Sequence, residues 1–262
     1  MTTIFAHRGL PSQAPENTLA SFDLARKIEG VKWIEFDLAI TEDEVLIVIH
    51  DDDLERTTNT YGEVSQTRYA VIQEASAGAW YHPKYENERI LTFEELVVFA
   101  NRFQMNLNIE LKGVTGPNGS LLSERMLQLL QKQIKQLNPD IEVLISSFNF
   151  ALLKLAEQYL PQYKRAVLFE RCAFYNDWRT IVDYCGSSIV HLEDIDITRE
   201  LVTEIKTSGY TLNMWTVNDK DRANMLINWG VDGLFTDNAD QLTHFQHESR
   251  KQREKGAPKC KD

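Results

Sequence analysis

Short apolar runs alternate along this chain with longer stretches in which apolar residues recur every three or four positions. A short run bounded by turn residues predicts a buried strand, and the three-four spacing predicts an amphipathic helix. Eight strands follow from this pattern: Ile4–Ala6, Trp33–Asp37, Leu107–Leu111, Val143–Ser146, Ala166–Phe169, Ile189–Leu192, Leu212–Thr216 and Gly233–Thr236. Helices are predicted over Thr18–Ile28, Phe93–Arg102, Ser123–Leu137, Ala151–Tyr159, Asp177–Cys185, Arg199–Ser208 and Lys220–Trp229. Asn17 is placed to cap the first helix, and Thr92 with Glu95 reads as a capping box for the second. Gly30, Gly209 and Gly230 stand where helices should end.

Strands and helices in strict alternation imply a parallel sheet with right-handed crossovers. Eight such units in a chain of 262 residues favour an α/β fold of the (β/α)8 TIM-barrel type over an open sheet, with residues 1–245 as one domain. The rhythm breaks once, at 38–91, between the second and third barrel strands. There Ile40–Ile49 reads as a hairpin turning near Glu42–Glu44, followed by a polar loop rich in Asp, Thr and Asn. A long insertion after a barrel strand is expected to shape the substrate mouth.

Composition and charge narrow the function. A hydrophobic content of 43% is enough for a sizeable core. The net charge of −11 argues against nucleic-acid binding, and it means that an anionic substrate must be drawn in by local cations or a metal. Cys172, Cys185 and Cys260 have neither metal-ligand nor disulfide spacing, consistent with a reducing compartment. The first residues lack the charged and apolar regions of a signal peptide, and no apolar run is long enough to span a bilayer. The expectation is a cytoplasmic protein without stable membrane insertion. Residues 246–262 lose the apolar periodicity, and 250–262 carry a local charge of +4, so a solvated tail is expected.

Barrel enzymes carry their chemistry at the C-terminal ends of the strands. Here the first strand runs into His7-Arg8-Gly9, the second holds Glu35-Phe36-Asp37 and the third runs into Glu110-Leu111-Lys112. Residues two apart in a strand share a side, so Glu35 projects with Asp37 and Glu110 with Lys112. On neighbouring strands the three carboxylates would converge and repel one another unless a hard divalent cation, Mg2+ or Ca2+, sat between them. A salt-bridge network at the barrel end would use the same residues. His7 and His50 lie at strand ends beside the cluster and form a candidate acid/base pair. Arg8 has the planar fork suited to phosphate. Glu16 either orients a histidine, reaches the metal, or simply favours the start of the first helix. His191 falls at the end of the sixth barrel strand, while His82, His244 and His247 carry weaker signals.

His-Arg-Gly at 7–9, Pro-Glu-Asn-Thr at 15–18, Glu-x-Asp at 35–37, His-Asp at 50–51 and Glu-x-Lys at 110–112 together resemble the glycerophosphodiester phosphodiesterase family. Ser146-Ser147-Phe148, Trp215-Thr216-Val217-Asn218 and Gly230-Val231-Asp232-Gly233 with Thr236-Asp237 extend the resemblance over roughly residues 3–242, and the short form resembles the cytosolic bacterial branch rather than the secreted one. It implies a TIM barrel that uses one divalent cation to hydrolyse glycerophosphodiesters to sn-glycerol 3-phosphate and an alcohol. It further implies that Glu35, Asp37 and Glu110 hold the metal and that His7 and His50 are the acid/base pair. Arg8 and Lys112 would grip the phosphate, Glu16 would orient its neighbours, and Trp215 would wall the glycerol or cap the barrel core. Glu193, Asp194 and Asp196 depart from the pattern by adding negative charge near the mouth.

Three other readings compete. One is a related barrel phosphodiesterase acting on lysophospholipids or phosphoinositide headgroups. A glycosidase also uses paired carboxylates, without a metal. A non-catalytic scaffold would be expected to lack one of these residues, and none is lacking.

Overall fold

The computed structural model describes residues 2–243, so the tail expected at 246–262, His244, His247 and Cys260 lie outside the described residues. Its strands are β1 (Thr3–Ala6), β2 (Trp33–Ile40), β3 (Leu46–Val48), β4 (Asn106–Leu111), β5 (Val143–Ser147), β6 (Lys164–Phe169), β7 (Ile189–Glu193), β8 (Thr211–Trp215) and β9 (Gly233–Thr236). Its helices are α1 (Leu19–Ala25), α2 (Tyr69–Ile72), α3 (Phe93–Phe103), α4 (Gly119–Gln133), α5 (Phe150–Tyr159), α6 (Trp178–Tyr184), α7 (Arg199–Thr207), α8 (Lys220–Trp229) and α9 (Ala239–Leu242). Eight of the strands pair in parallel in the order β1-β2-β4-β5-β6-β7-β8-β9, and β9 returns to β1. The sheet is therefore a closed (β/α)8 barrel, as the alternating pattern predicts.

Two concentric cores hold it. Residues pointing outward from the strands, among them Ile34, Phe36, Leu38, Leu107 and Ile109, bury against the helices, whose apolar stripes supply Phe22, Leu96, Leu127 and Leu153. Inside the barrel a smaller cluster of Phe5, Leu144, Ala166, Ile189 and Phe235 fills the lumen. Pleat alternation separates the two sets residue by residue.

β2 is three residues longer than its apolar run suggests, because its end pairs antiparallel with β3 (Leu38 with Val48, Ile40 with Leu46). This is the predicted hairpin, and the insertion that follows has its own core of Ile47, Ile49, Leu54, Val64, Ile72 and Ile90. The Thr92–Glu95 capping box forms, and Gly230 ends α8 in the left-handed conformation. The cap of α1 differs: Thr18 accepts from the Ser21 amide, while Asn17 is turned by a φ of 58° and uses its side chain elsewhere. Among the described residues no helix is long and apolar enough to cross a membrane.

Candidate active site

Strand register brings the carboxylates together. Asp37 on β2 lies directly opposite Glu110 on β4, and Glu35 sits two residues below Asp37 on the same face. One oxygen from each of Glu35, Asp37 and Glu110 lies within 4.8 Å of the others, and all three side chains are buried. Arg8 Nε stands 3.2 Å from Asp37 Oδ2, and Lys112 Nζ is 2.8 Å from Glu110 Oε1 and 3.6 Å from Asp37 Oδ1. Asn17 Nδ2 donates to Asp37 Oδ2 at 2.8 Å, which accounts for its absence from the helix cap.

The electrostatics of the cluster are uneven. Burial and the neighbouring Asp37 charge push the Glu35 carboxyl well above the usual carboxylate range. Burial pulls Asp37 the same way, but Arg8 and Lys112 outweigh it and hold Asp37 well below that range. Two cations thus serve three buried carboxylates, and Asp37 Oδ1 has no hydrogen-bond donor. An all-oxygen set with an orphaned, buried anionic atom fits a hard divalent cation.

The loop after β1 is built for close approach. Arg8 adopts a φ of 53°, which aims its backbone N–H at Glu35 Oε2, 3.0 Å away. Gly9 follows at φ 93°, and a Cβ there would stand 2.3 Å from Ser21 Oγ and 2.7 Å from the Ser21 carbonyl carbon. Ser21 Oγ donates to the Arg8 carbonyl and accepts from the Leu10 amide. Gly9→Ala is expected to destabilise the protein by about 2 kcal/mol, combining backbone strain with this clash. A urea midpoint equal to that of the parent protein would contradict it.

Each candidate histidine is held through Nδ1 by a carboxylate: His7 by Asp237 Oδ1 at 2.7 Å, and His50 by Asp51 Oδ1 at 2.6 Å. A carboxylate at Nδ1 favours the tautomer with the proton there and leaves Nε2 for other chemistry. Although burial alone would lower it, the pKa of His7 is raised by its bond to Asp237 and by Glu35, whose Oε2 lies 4.0 Å from His7 Nε2. Asn218 fixes Asp237 in turn, donating to its Oδ2 and accepting from its amide.

A cavity of about 320 Å3 opens above these groups. His7, Arg8, Glu35, His50, Glu110 and Lys112 line one wall of it. Phe148 and Trp215 form an edge-to-face aromatic pair on another side, 5.4 Å between centroids. A larger groove of about 670 Å3 between α1 and α3 is lined chiefly by apolar residues such as Leu19, Val98 and Phe103, and none of the site residues reaches it.

Several residues take places that the sequence leaves open. Glu16 touches neither a histidine nor the carboxylate cluster; it lies between the guanidinium groups of Arg8 and Arg56. His191 sits at the cavity floor, fully buried against Phe5 and Phe235, and burial lowers its pKa to about 3. That burial favours the neutral ring. Asp194 is neutralised by Arg222, and Glu193 accepts from the Arg171 amide. The added carboxylate on the cavity wall is instead Glu170, just past β6. Sequence pattern alone does not single out Arg56, and it marks Asn17 only as a helix cap; Thr-Asp at 236–237 belongs to the family pattern but carries no hint of a partner at residue 7.

The sequence profile of the glycerophosphoryl diester phosphodiesterase family matches residues 7–241. A glycerophosphodiester phosphodiesterase of Caldanaerobacter subterraneus subsp. tengcongensis is 34% identical, over 93% of this chain and 97% of its own. One from Bacillus altitudinis is 30% identical, over 95% of this chain and 100% of its own. The structure of an Oleispira antarctica phosphodiesterase in complex with the product sn-glycerol-3-phosphate superimposes with a TM-score of 0.87 at 30% identity, covering 94% of this chain and 97% of the other. This chain belongs to the glycerophosphoryl diester phosphodiesterase family.

Proposed function

We propose that the protein hydrolyses glycerophosphodiesters to sn-glycerol 3-phosphate and an alcohol, by acid/base catalysis between His7 and His50 at a divalent-cation site. The observation that carries this reading is the pairing of two carboxylate-oriented histidines with a buried carboxylate cluster and two cations around one cavity. The product seen bound to the Oleispira relative supports the glycerol half of the substrate. The cavity suits a small polar diester, and an acyl chain would have to lie outside it.

Arg8 and Lys112 balance the phosphate charge and the charge that builds in the transition state. Mg2+ or Ca2+ held by Glu35, Asp37 and Glu110 would supply further positive charge to the phosphoryl oxygens. One histidine takes the proton of the attacking hydroxyl at Nε2, and the other returns a proton to the departing alkoxide. The glycerol 2-hydroxyl is the favoured attacker, because an intramolecular nucleophile has already lost the freedom that a water must surrender. A bond then forms from O2 to phosphorus as the bond to the alcohol breaks, and water opens the resulting cyclic ester. Phe148 and Trp215 offer an apolar wall to the glycerol carbons.

Release of glycerol 3-phosphate from glycerophosphocholine, glycerophosphoethanolamine and glycerophosphoglycerol, and of acylglycerol 3-phosphate from a lysophospholipid, should be measured after chelation and on return of Mg2+ or Ca2+. Release from the water-soluble diesters is expected with a cation and not without one. No release with either ion would overturn the reading, and preference for the lysophospholipid would redirect it to lipid substrates.

A further inference from the structure

Arg56 lies in the insertion, where its polar surroundings give it the look of a solvent-facing residue. Its guanidinium nevertheless bridges two segments that carry different parts of the site. Nε and Nη2 bind the two oxygens of Asp51 at 2.5 and 2.9 Å. Nη1 and Nη2 bind the two oxygens of Glu16 at 2.9 and 2.8 Å. Asp51 is the partner of His50 Nδ1, and Glu16 Oε1 accepts from Arg8 Nη1 at 2.9 Å. One unbroken chain of charge-assisted bonds therefore runs His50–Asp51–Arg56–Glu16–Arg8. Its two ends are a proton-transfer group and a phosphate-binding group.

We propose that Arg56 is a positioning residue for the reaction: a latch that fixes the His50-bearing insertion against the Arg8-bearing loop by gripping Asp51 and Glu16 with one planar fork. The inference rests on the phosphodiesterase reading above. Three arguments carry it. First, the bonds to both carboxylates need the fixed geometry of a guanidinium; a lysine ammonium is a point charge that cannot match two pairs of oxygens. Second, Arg56 is over two-fifths exposed, and exposed ion pairs contribute about 0–1 kcal/mol to folding. Such a group adds little as a structural tie, yet misplacing a reacting group by about 1 Å can cost on the order of a hundredfold in rate. Third, Asp51 stays ionised and so keeps its grip on both partners. Partial burial pulls it upward, but the bonds from Arg56 and His50 hold its carboxyl at about 2.

The two arms of the latch make separable demands. Asp51→Asn should lower kcat with little change in KM, because it loosens the proton-transfer group. Glu16→Gln should chiefly raise KM, because it frees Arg8. Arg56→Lys and Arg56→Met should do both, with kcat/KM on glycerophosphocholine falling about tenfold to a hundredfold while the melting temperature stays within a few degrees of the parent. Amide hydrogen exchange, which needs no turnover, should speed up together over residues 8–18 and 50–64 in Arg56→Met. Arg56→Lys with parental kcat and KM would overturn the proposal, as would unchanged exchange in either segment. An inactive parent protein with coupled exchange changes in Arg56→Met would instead count against the phosphodiesterase reading and leave the latch standing.

Discussion

Replacing His50 with alanine should reduce turnover of a glycerophosphodiester by about 10²–10⁴-fold, the usual range for loss of a general acid or base. The same result is expected for His7→Ala. Neither change should unfold the barrel, because His7 and His50 stand beyond the ends of β1 and β3 rather than in either core. The informative comparison uses a diester whose leaving group is a weak base, such as a nitrophenol. Such a group departs without a proton, so the variant lacking the acid should recover much of its rate and the variant lacking the base should not. That contrast assigns the roles, which the near-symmetric pairing of each ring with a carboxylate leaves equivalent. Near-parental rates on glycerophosphocholine from either variant would remove that histidine from the mechanism.

Glu35→Gln and Asp37→Asn should behave differently although both remove a candidate metal ligand. In chelated protein at about pH 5, Glu35 is disposed to keep its proton, so an amide is a close substitute and stability there should change by less than about 1 kcal/mol. The amide oxygen can still accept from the Arg8 N–H. Asp37 is the buried counter-ion of Arg8 and Lys112, and neutralising it should cost about 3 kcal/mol or more. Both variants should lose the stabilisation that Mg2+ or Ca2+ gives the parent, since a ligand that binds the folded state alone raises its stability by mass action.

The pH dependence follows from the same shifts. Glu35 has a folded pKa above its unfolded value of about 4.3, so its contribution is full below that value and is lost as pH rises through the folded one. His7, also raised, acts in the same sense at higher pH. Asp37 is lowered, and its contribution fades only in acid, as pH falls below about 4. Chelated parent protein should therefore lose stability between about pH 5 and 8, and Glu35→Gln should flatten that loss. Melting temperatures in chelator across this window provide the measurement. A parent protein that becomes more stable toward pH 8, or equal destabilisation by the two variants, would contradict this account of the cluster.

The features legible in the sequence are those set by local periodicity. Residues two apart in a strand must share a face, so Glu35 with Asp37 and Glu110 with Lys112 are readable as pairs from the chain alone. Eight apolar runs separated by helical spacing are enough to imply the barrel. Where local signals conflict with distant ones the sequence is silent. Asn17 and Thr18 are both good caps, and what decides between them is Asp37, twenty residues away. The extra length of β2 depends on pairing with β3. Arg56 lies in a polar loop whose composition suggests only solvent, and its role comes from meeting Glu16 forty residues back. Asp237 is 230 residues from His7, and nothing short of barrel closure puts them together.

That last contact has a consequence for the order in which the protein becomes competent. During synthesis both histidines, all three carboxylates and both cations have emerged by residue 112, with more than half of the 262-residue chain still to come. The nascent chain then holds every group of the proposed mechanism but not the Asp237 partner of His7. His7 acquires its partner only when β9 docks between β8 and β1, the step that turns an open sheet into a ring. On the proposed mechanism folding would act as its own safeguard: a barrel left open at the β1–β9 seam would lack the Asp237 contact that orients His7.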